Sequence, residues 1–389
     1  MVTKGKILHL NSYYFTNKLY RGLYKELERY CEQIIYIPIK LNVDLSNEDL
    51  PHSNDRVQYT ISQIIKPYHK IFYKRKIKCL IRDLVERMDL KGVSVIHAHN
   101  VFVDGAIANY LFEKYNIPFI ISVRMTDVSM QYKYMIHRRS FARKIMSNAA
   151  AIVFISAKYK ELLQRMLPKT FRHMVDVKSL VIPNGIDNYW HKNIKKDILP
   201  FNERDGGAFK LIYVGQIIER KKVIILIEVI EKLRKIGYNF ILTVVGGENR
   251  DEQPYYKKFL SQIEGKEFVD YRGKISNLND ILNCLREHHA FIMTPVNELF
   301  GVVYIEALSQ SLPVIYSKNE GIDGYLSGMN CGVAVDPNYN LSIEEGIVEL
   351  YRNYSCYKDL YKICSDFFWP HISELYVKLY SQIYNSLKK

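Results

Sequence analysis

The chain has 389 residues, of which 48% are hydrophobic and 25% are charged. These fractions are typical of globular proteins and argue against wholesale disorder, collagen or a coiled coil. At about 150 residues per domain, the length predicts two or three domains. No apolar run approaches the roughly 20 residues that a membrane-spanning helix needs, and Met1 to Phe15 lacks the apolar stretch of a signal peptide. We therefore expect a soluble, cytoplasmic protein.

The formal net charge is +14, and it is distributed unevenly. Residues 1–185 hold 30 Lys and Arg against 15 Asp and Glu, whereas residues 186–389 hold 25 against 26. A basic surface suits nucleic acid, an anionic membrane or an anionic substrate, and the sequence places it in the first half. The six cysteines include no CxxC pair, which predicts neither a disulfide framework nor a structural zinc site.

In the first half, short β-rich runs alternate with helical patterns. The predicted strands are Lys6–Leu10, Gln33–Ile39, Val93–Ala98, Pro118–Val123 and Ala151–Ile155. The predicted helices are Asn17–Tyr30, Gly105–Tyr115 and Tyr132–Asn148. This alternation indicates a parallel sheet covered by helices.

After a polar stretch over residues 188–207, the same pattern restarts. The predicted strands are Lys210–Val214, Phe240–Val245, Phe268–Tyr271, Ala290–Met293 and Pro313–Tyr316, with a helix over Val223–Ile236. The sequence therefore predicts an α/β protein with two doubly wound domains facing a cleft. Because open parallel sheets bind ligands at the carboxyl ends of their strands, we expect a ligand in that cleft.

The segment from Glu298 to Glu306 carries the strongest local signal. It follows a predicted strand, and the step at Phe300 and Gly301 can open a helix whose free N–H groups would face an anion such as a diphosphate. Glu306 would lie about two turns inside that helix, near the face of Glu298. Carboxylates beside a phosphate site suit hydrogen bonds from sugar hydroxyls. A lone glutamate is more often a solvated helix residue, so the flanking residues must decide.

Those flanking residues resemble retaining GT-B glycosyltransferases of the family-4 type. Glu298 and Glu306 match the E-x7-E motif of that family. Further matching segments are Val181–Asp187, Tyr213–Lys222, Val245–Glu248, Tyr271–Gly273 and Phe367–Pro370. The resemblance covers nearly the whole chain, and the shared order of these short strings carries it. It implies the GT-B fold, made of two Rossmann-like domains.

The resemblance also implies roles for the residues of the donor site. Glu306 falls where the family binds ribose hydroxyls, and Glu298 falls where it contacts the transferred sugar. Lys221 matches a phosphate-binding lysine, so Glu298 and Lys221 are the predicted catalytic residues. A cation there is chemically sensible, since the leaving diphosphate gains charge. The remaining predicted donor-binding residues are Phe300, Gly301, Val302, Gly215, Gln216 and Arg220.

Two departures from the family pattern concern charge. Gln216 stands where the family has an arginine in its phosphate loop, so either Arg220 or Lys222 compensates or catalysis is weaker. Arg124 stands where the family has a histidine that reaches the donor sugar. The segment after the first strand, Asn11 to Thr16, also lacks the glycine pair of many members.

The first domain contributes a second group of candidate residues. His97 and His99 would lie on one side of a strand, a pairing that suggests either a wall of the cleft or a metal site, although a metal needs further ligands that the sequence does not reveal. We therefore predict no metal. The residues predicted to line the acceptor and donor-sugar cleft are His99, Arg124, Asp127 and Asn184.

A basic and aromatic segment runs from Lys66 to Arg82. Its isoleucines, among them Ile71 and Ile77, stand among cations, as in an interfacial helix on an anionic membrane. The alternative is an ordinary amphipathic surface helix. No nucleic-acid recognition fold accompanies the segment, so we predict no nucleic acid partner.

These observations predict a nucleotide-sugar-dependent, metal-independent, retaining hexosyltransferase with a UDP- or GDP-linked donor and no cofactor. Its acceptor would be a glycan or lipid-linked glycan of a bacterial surface polysaccharide, with the chain peripheral on the inner face of the cell membrane. The alternative is a non-catalytic GT-B protein that binds nucleotide or glycan. The predicted domains are an acceptor domain over 1–187, a linker over 188–207, a donor domain over 208–365 and a terminal helix over 366–389 that packs back on the first domain.

Overall fold

The computed structural model describes residues 5–16, 19–46, 50–202 and 207–386, which form two compact units. The first unit comprises Met1–Gly185 and Trp369–Lys389. Its strands are β1 (Lys6–Leu10), β2 (Glu32–Lys40), β3 (Val57–Ile65), β4 (Val93–Ala98), β5 (Phe119–Val123), β6 (Ala151–Phe154) and β7 (Ser179–Val181). Its helices are α1 (Leu19–Leu27), α2 (Tyr73–Arg87), α3 (Asp104–Tyr115), α4 (Arg139–Asn148), α5 (Ala157–Met166) and α6 (Lys169–Lys178), followed at the far end of the chain by α15 (Trp369–Ser386).

The second unit comprises Ile186–Phe368. Its strands are β8 (Phe209–Val214), β9 (Phe240–Val245), β10 (Val269–Tyr271), β11 (Ala290–Ile292), β12 (Val314–Ser317) and β13 (Gly332–Val335). Its helices are α7 (Asn188–Lys192), α8 (Val223–Lys235), α9 (Gln253–Ile263), α10 (Leu278–Arg286), α11 (Val302–Ser309), α12 (Asp323–Leu326), α13 (Asn340–Arg352) and α14 (Leu360–Ile363).

Each unit contains one sheet, and the strand pairs within both sheets are parallel. The described strands of the first unit follow the order β3-β2-β1-β4-β5-β6-β7, and those of the second follow β10-β9-β8-β11-β12-β13. Strand order therefore reverses between β1 and β4 and again between β8 and β11. In open α/β sheets, ligands bind beyond the carboxyl ends of the strands at such a reversal. The predicted α/β class with two doubly wound sheets is confirmed.

The predicted strands match the structure to within one residue at each end, but three strands were missed. Strand β3 extends the first sheet beyond β2, and the short strands β7 and β13 form the other edges. The predicted helix over Tyr132–Asn148 is wrong in its first half, because α4 begins only at Arg139. Residues Ile136–Arg138 form a short 3-10 turn there, and a π-helical turn over Thr126–Tyr132 ends where the predicted helix begins. The predicted first helix begins at Asn17, which lies outside the described residues.

Helix α15 completes the hydrophobic core of the first unit. Its residues Ile372, Tyr376 and Tyr380 are buried in one cluster with residues of β1, β2 and α1. The Trp369 indole lies so close to two glycines that a Cβ on Gly22 would be 2.2 Å from it and one on Gly185 would be 2.3 Å from it. The core of this unit is therefore assembled from segments at opposite ends of the sequence.

Candidate active site

In the second unit, the loops that follow β8 and β11 meet at the reversal of strand order. The backbone N–H of Val296 donates to the carbonyl of Arg220 at 2.8 Å. Arg220 Nη1 also lies 2.8 Å from Glu298 Oε2, and Lys221 Nζ lies 3.8 Å from the same oxygen. The structure thus brings together the two predicted catalytic residues and one predicted donor-binding cation.

The loop that carries Glu298 is fixed from behind by a second glutamate. The carboxylate of Glu320 accepts hydrogen bonds from the backbone N–H groups of Asn297 and Glu298, each at 2.8 Å. The next residue, Gly321, approaches this loop so closely that a Cβ would lie 1.6 Å from the Leu299 carbonyl oxygen. Only glycine permits that approach, so the position of Glu298 is set by residues that the sequence motif does not include.

Helix α11 opens directly after this loop, as predicted. Gly301 has a positive φ of 73° and precedes the first residue of the helix, a conformation that glycine adopts at little cost. The Tyr304 hydroxyl donates to the Met293 carbonyl at 2.6 Å, which fixes the first turn of the helix against the end of β11. The first N–H groups of a helix lack intrahelical acceptors. The predicted diphosphate ligands Phe300, Gly301 and Val302 thus lie where backbone donors are concentrated.

Glu306 lies closer to the start of α11 than predicted. It is the fifth residue of the helix, about one turn inside rather than two, because the helix begins at Val302 and Glu298 belongs to the preceding loop. Burial raises the pKa of Glu306 to about 7, an effect that the nearby Trp190 indole opposes and Asp187 reinforces. A carboxyl group whose pKa lies near neutral pH suits hydrogen bonding to a polar ligand such as a hydroxyl.

The phosphate loop separates its cations into two groups. Lys221 is largely buried, and burial lowers its pKa while the Glu298 carboxylate opposes the change. Lys222 points elsewhere, because its Nζ donates to the Pro337 carbonyl at 2.6 Å. Gln216 is exposed, and its carbonyl accepts from the Tyr213 hydroxyl at 2.8 Å. Of the two cations considered as replacements for the missing arginine, Arg220 is therefore the one that faces Glu298.

The loop geometry also explains the position of Gly215, the remaining predicted donor residue. A Cβ on Gly215 would lie 3.1 Å from Lys221 Nζ. Its carbonyl oxygen is approached even more closely by Gly246, where a Cβ would lie 1.8 Å away. The backbone turns after β8 and β9 therefore pack directly on each other, and this packing leaves room for the Lys221 side chain.

In the first unit, three predicted residues surround one small cavity. His99, Arg124 and Asn184 line a space of about 10 Å³, together with Trp369 and Tyr376 of α15. Arg124 Nε donates to the His99 carbonyl at 2.9 Å, and its guanidinium lies 4.6 Å from the centre of the Tyr20 ring. Burial lowers the pKa of Arg124 to about 10, so the side chain is still cationic near neutral pH.

Asp127, the fourth predicted residue of this group, does not line the cavity. Its carboxylate accepts hydrogen bonds from the backbone N–H groups of Arg124 at 2.9 Å and Val101 at 3.1 Å. Burial raises its pKa to about 6 against the effect of these donors. Asp127 therefore holds the segment that presents Arg124 and does not face the space itself.

His97 and His99 do lie together, and the structure adds His9 as a neighbour. The described part of the chain contains one group of three side chains spaced for a metal, and it is this one, with ligand atoms within 4.8 Å of one another. Both nitrogens of His97 are already within hydrogen-bond distance of hydroxyls, Tyr380 at 2.7 Å and Ser122 at 2.8 Å. Burial lowers the pKa of all three imidazoles. The absence of metal from the reaction stays a prediction.

Comparison with known proteins covers most of the chain. Residues 45–188 match the family described as Glycosyltransferase Family 4, and residues 194–364 match Glycosyl transferases group 1. The chain thus carries the two domains of a GT-B glycosyltransferase.

Relatives with assigned names are glycosyltransferases as well. The chain is 26% identical to an uncharacterized glycosyltransferase of Methanocaldococcus jannaschii, over 76% of this chain and 75% of the relative. It is 22% identical to an alpha-monoglucosyldiacylglycerol synthase of Acholeplasma laidlawii, over 80% of each chain. It is 27% identical to the capsular polysaccharide biosynthesis glycosyltransferase CapH of Staphylococcus aureus, over 60% of this chain and 62% of the relative. Where the name of a relative states a process, that process is the synthesis of a bacterial polysaccharide or glycolipid.

Solved structures support the fold of this glycosyltransferase. Sucrose-phosphate synthase from Thermosynechococcus elongatus superimposes with a TM-score of 0.73 at 16% identity, covering 98% of this chain and 100% of that one. Anabaena HepE in complex with UDP and glucose superimposes with a TM-score of 0.68 at 16% identity, covering 97% and 100%. At this level of identity the likeness concerns the fold alone, and the GT-B prediction is confirmed.

The sequence did not point to several residues that shape these sites. Glu320 and Trp190 lie far along the chain from the residues they contact, and neither belongs to a short motif. Asp104 was also missed, although it accepts from the Ser12 backbone N–H at 3.2 Å beyond β1. Burial raises the pKa of Asp104 to about 8. The available signal was positional, because Asp104 follows β4 and Glu320 follows β12 at the carboxyl edges of their sheets.

Proposed function

We propose that this glycosyltransferase moves a hexosyl group from a UDP- or GDP-linked donor to a glycan or lipid-linked glycan, with retention of anomeric configuration. The observation that carries the proposal is the convergence of Arg220 and Lys221 on Glu298, directly before the amino terminus of α11. A cationic pair and a helix terminus suit a diphosphate, and a carboxylate beside them suits a sugar hydroxyl.

The proposed roles follow from charge and position. Lys221 and the first N–H groups of α11 stabilise the negative charge that grows on the departing diphosphate. Glu298 holds the transferred sugar, and Glu306 holds the ribose. The bond between the anomeric carbon and phosphate oxygen breaks, the acceptor oxygen bonds to that carbon on the same face, and the acceptor proton passes to the departing phosphate.

The acceptor is proposed to lie on the first unit, where His99, Arg124 and Asn184 border the small cavity. The basic excess of residues 1–185 would hold this unit near an anionic membrane, consistent with a lipid-linked acceptor in the synthesis of a bacterial surface polysaccharide. The glycolipid and capsule enzymes among the relatives support that class of acceptor. Each cation near such a surface contributes about 1 kcal/mol. The chain would then be a peripheral protein on the cytoplasmic side.

A binding and turnover experiment tests the proposal. The purified chain is screened by thermal shift against nucleoside diphosphates and their sugars, since a ligand that binds the native state raises its apparent stability. Glu298→Gln should keep the shift given by the diphosphate but lose donor turnover, whereas Glu306→Ala should lose both. The matched control is Glu345→Gln, an exposed residue of α13.

Two results would contradict the proposal. No stabilisation by any nucleoside diphosphate would remove the donor site. Stabilisation by a nucleoside diphosphate with neither donor hydrolysis nor transfer to any acceptor in the wild type would favour a non-catalytic binding protein instead.

A further inference from the structure

An open groove on the first unit combines apolar and cationic walls. It lies between α2 and the start of α4 and has a volume of about 810 Å³. The apolar side chains that line it are Ile71, Phe72, Tyr73, Ile77 and Phe141, and the cationic ones are Lys74, Arg75, Lys78 and Arg138. Within the described part of the chain, no acidic residue lines it. Its chemistry therefore fits a ligand that has both an apolar part and a negative charge.

The apolar wall of the groove is exposed at the end that precedes α2. Ile71 is 78% exposed and Phe72 is 48% exposed, whereas Ile77 of α2, which lines the same groove, is buried. Ile136, which is 68% exposed, immediately precedes the lining residue His137 in the chain but does not itself line the groove. Exposed apolar groups gathered at one place and rimmed by polar ones mark an interaction site more often than scattered single residues do.

The sequence leaves the segment Lys66–Arg82 open between an interfacial helix and an ordinary amphipathic surface helix, and in the structure it contains the first part of α2. Helix α2 turns its apolar residues inward, since Ile77, Leu80 and Leu84 are buried. The exposed apolar groups lie in the turn before the helix. In the described part of the chain, no helix has the length and apolar character that crossing a bilayer demands. The surface is thus a groove with exposed apolar side chains at one end.

The cations of the groove are available to a ligand. In the described residues, Lys74, Arg75, Lys78 and Arg138 form no ion pair with a carboxylate. The Arg138 guanidinium lies 4.2 Å from the centre of the Tyr73 ring, and its buried Nε has no hydrogen-bond partner there. The Tyr73 hydroxyl donates to the Phe102 carbonyl, which fixes the ring beneath Arg138. Buried nitrogen donors are normally satisfied, so an acceptor is expected at this site.

We propose that this groove binds one lipid phosphate, with its apolar chain against Ile71, Phe72 and Phe141 and its phosphate at Arg138 and Lys78. This inference rests on the proposed function, because it assigns the groove to the phosphate carrier of a lipid-linked acceptor. Arg138 is suited to the phosphate because guanidinium and phosphate pair through several hydrogen bonds. The exposed end of the groove, at Ile71 and Phe72, lets the remainder of a long chain leave it.

The test uses the full chain and monomeric alkyl phosphates below their micelle concentration. Decyl phosphate should bind more tightly than octyl phosphate by about fifteenfold, because each buried methylene adds roughly fourfold. Inorganic phosphate should bind far more weakly than either. Lys78→Gln should weaken decyl phosphate binding by about tenfold or more at low salt, as expected when a charged hydrogen bond is lost.

A variant that fills the groove keeps the test independent of charge. Ser140 lines the groove and is exposed on α4, so Ser140→Trp should block binding without removing a cation. Ser147→Trp, on an exposed position of the same helix outside the groove lining, is the matched control and should bind normally. Circular dichroism confirms that both variants fold.

Three outcomes would overturn the inference. Equal binding of inorganic and decyl phosphate would show a simple anion site. Unchanged binding in Ser140→Trp would place the ligand elsewhere. Binding to phosphatidylglycerol vesicles but not to alkyl phosphate monomers would show contact with a bilayer and not with a single lipid. Because these measurements use no sugar donor, they can succeed or fail separately from the thermal shift with nucleoside diphosphates, which tests the proposed function.

Discussion

Glu306 offers a direct test of the second unit. Its carboxylate is predicted to bind a ligand, but burial of the ionised group lowers the stability of the fold. Burial raises its pKa from 4.5 to about 7. An acid with a raised pKa in the folded state stabilises the fold fully below its unfolded value, and that contribution is lost as pH rises from about 4.5 through about 7. Replacing Glu306 by an uncharged side chain of the same size should therefore stabilise the protein at pH 8 and have little effect at pH 5.

The magnitude follows from the size of the shift. Each pKa unit corresponds to about 1.4 kcal/mol, so the shift of Glu306 sets an upper bound of about 3 kcal/mol. Since the residue keeps some exposure, we expect about 2 kcal/mol for Glu306→Gln at pH 8. In a domain the size of the second unit this raises the unfolding temperature by about 4–8 °C.

Scanning fluorimetry of wild type and Glu306→Gln between pH 5 and pH 8 measures this difference. Glu345→Gln on α13 is the control, because that residue is exposed and its substitution should leave the pH profile unchanged. In the same samples, Glu306→Gln should weaken nucleoside diphosphate binding by about tenfold or more, as expected when a charged hydrogen bond is lost. Parallel pH profiles for wild type and Glu306→Gln would refute the reasoning.

Three further predictions concern the same unit. Lys221→Ala should lower kcat by about a hundredfold and change donor binding less, because charge at the leaving diphosphate grows in the transition state. Lys222→Ala is the control. An unchanged kcat in Lys221→Ala would show that the loop is misassigned. Gly321→Ala should destabilise the protein by about 1–3 kcal/mol through its clash with the Leu299 carbonyl, whereas Gly207→Ala meets nothing within 4 Å; equal melting temperatures would contradict this. Turnover should be the same in excess EDTA, because the proposed phosphate site uses backbone N–H groups and an ammonium; loss of activity restored by magnesium or manganese would argue against that site.

The sequence predicted the buried strands well because their apolar runs are continuous, and it failed where the pattern is mixed. Strand β3 carries Gln58, Ser62 and Gln63 among its apolar residues, so it resembles a polar loop with scattered hydrophobics. Strand β7 has only three residues, two of them exposed. Edge strands bury little surface, and their identity depends on the neighbouring strand and not on their own composition.

The candidate site shows the same limit. The glycine and glutamate positions of the motif segment could be interpreted locally, since a helix opens right after Gly301. The choice between Arg220 and Lys222 could not be made locally. It depends on contacts with Glu298, which is 78 positions from Arg220, and with Pro337, which is 115 positions from Lys222. The same holds for Trp190 beside Glu306. Such pairings arise only when the sheet has been assembled.

The placement of α15 in the first core has a consequence for the order of folding. The second unit is a continuous stretch of chain whose first and last residues, Ile186 and Phe368, pair with each other. It is topologically an insertion, and its ends meet, so it can fold as soon as it leaves the ribosome. The first unit must wait for Trp369 and the residues after it, because the slot beside Gly22 and Gly185 is empty until they arrive. During synthesis, the part of the protein translated first is therefore the part completed last, and a chain cut short after Phe368 would leave that early segment exposing its unfinished core.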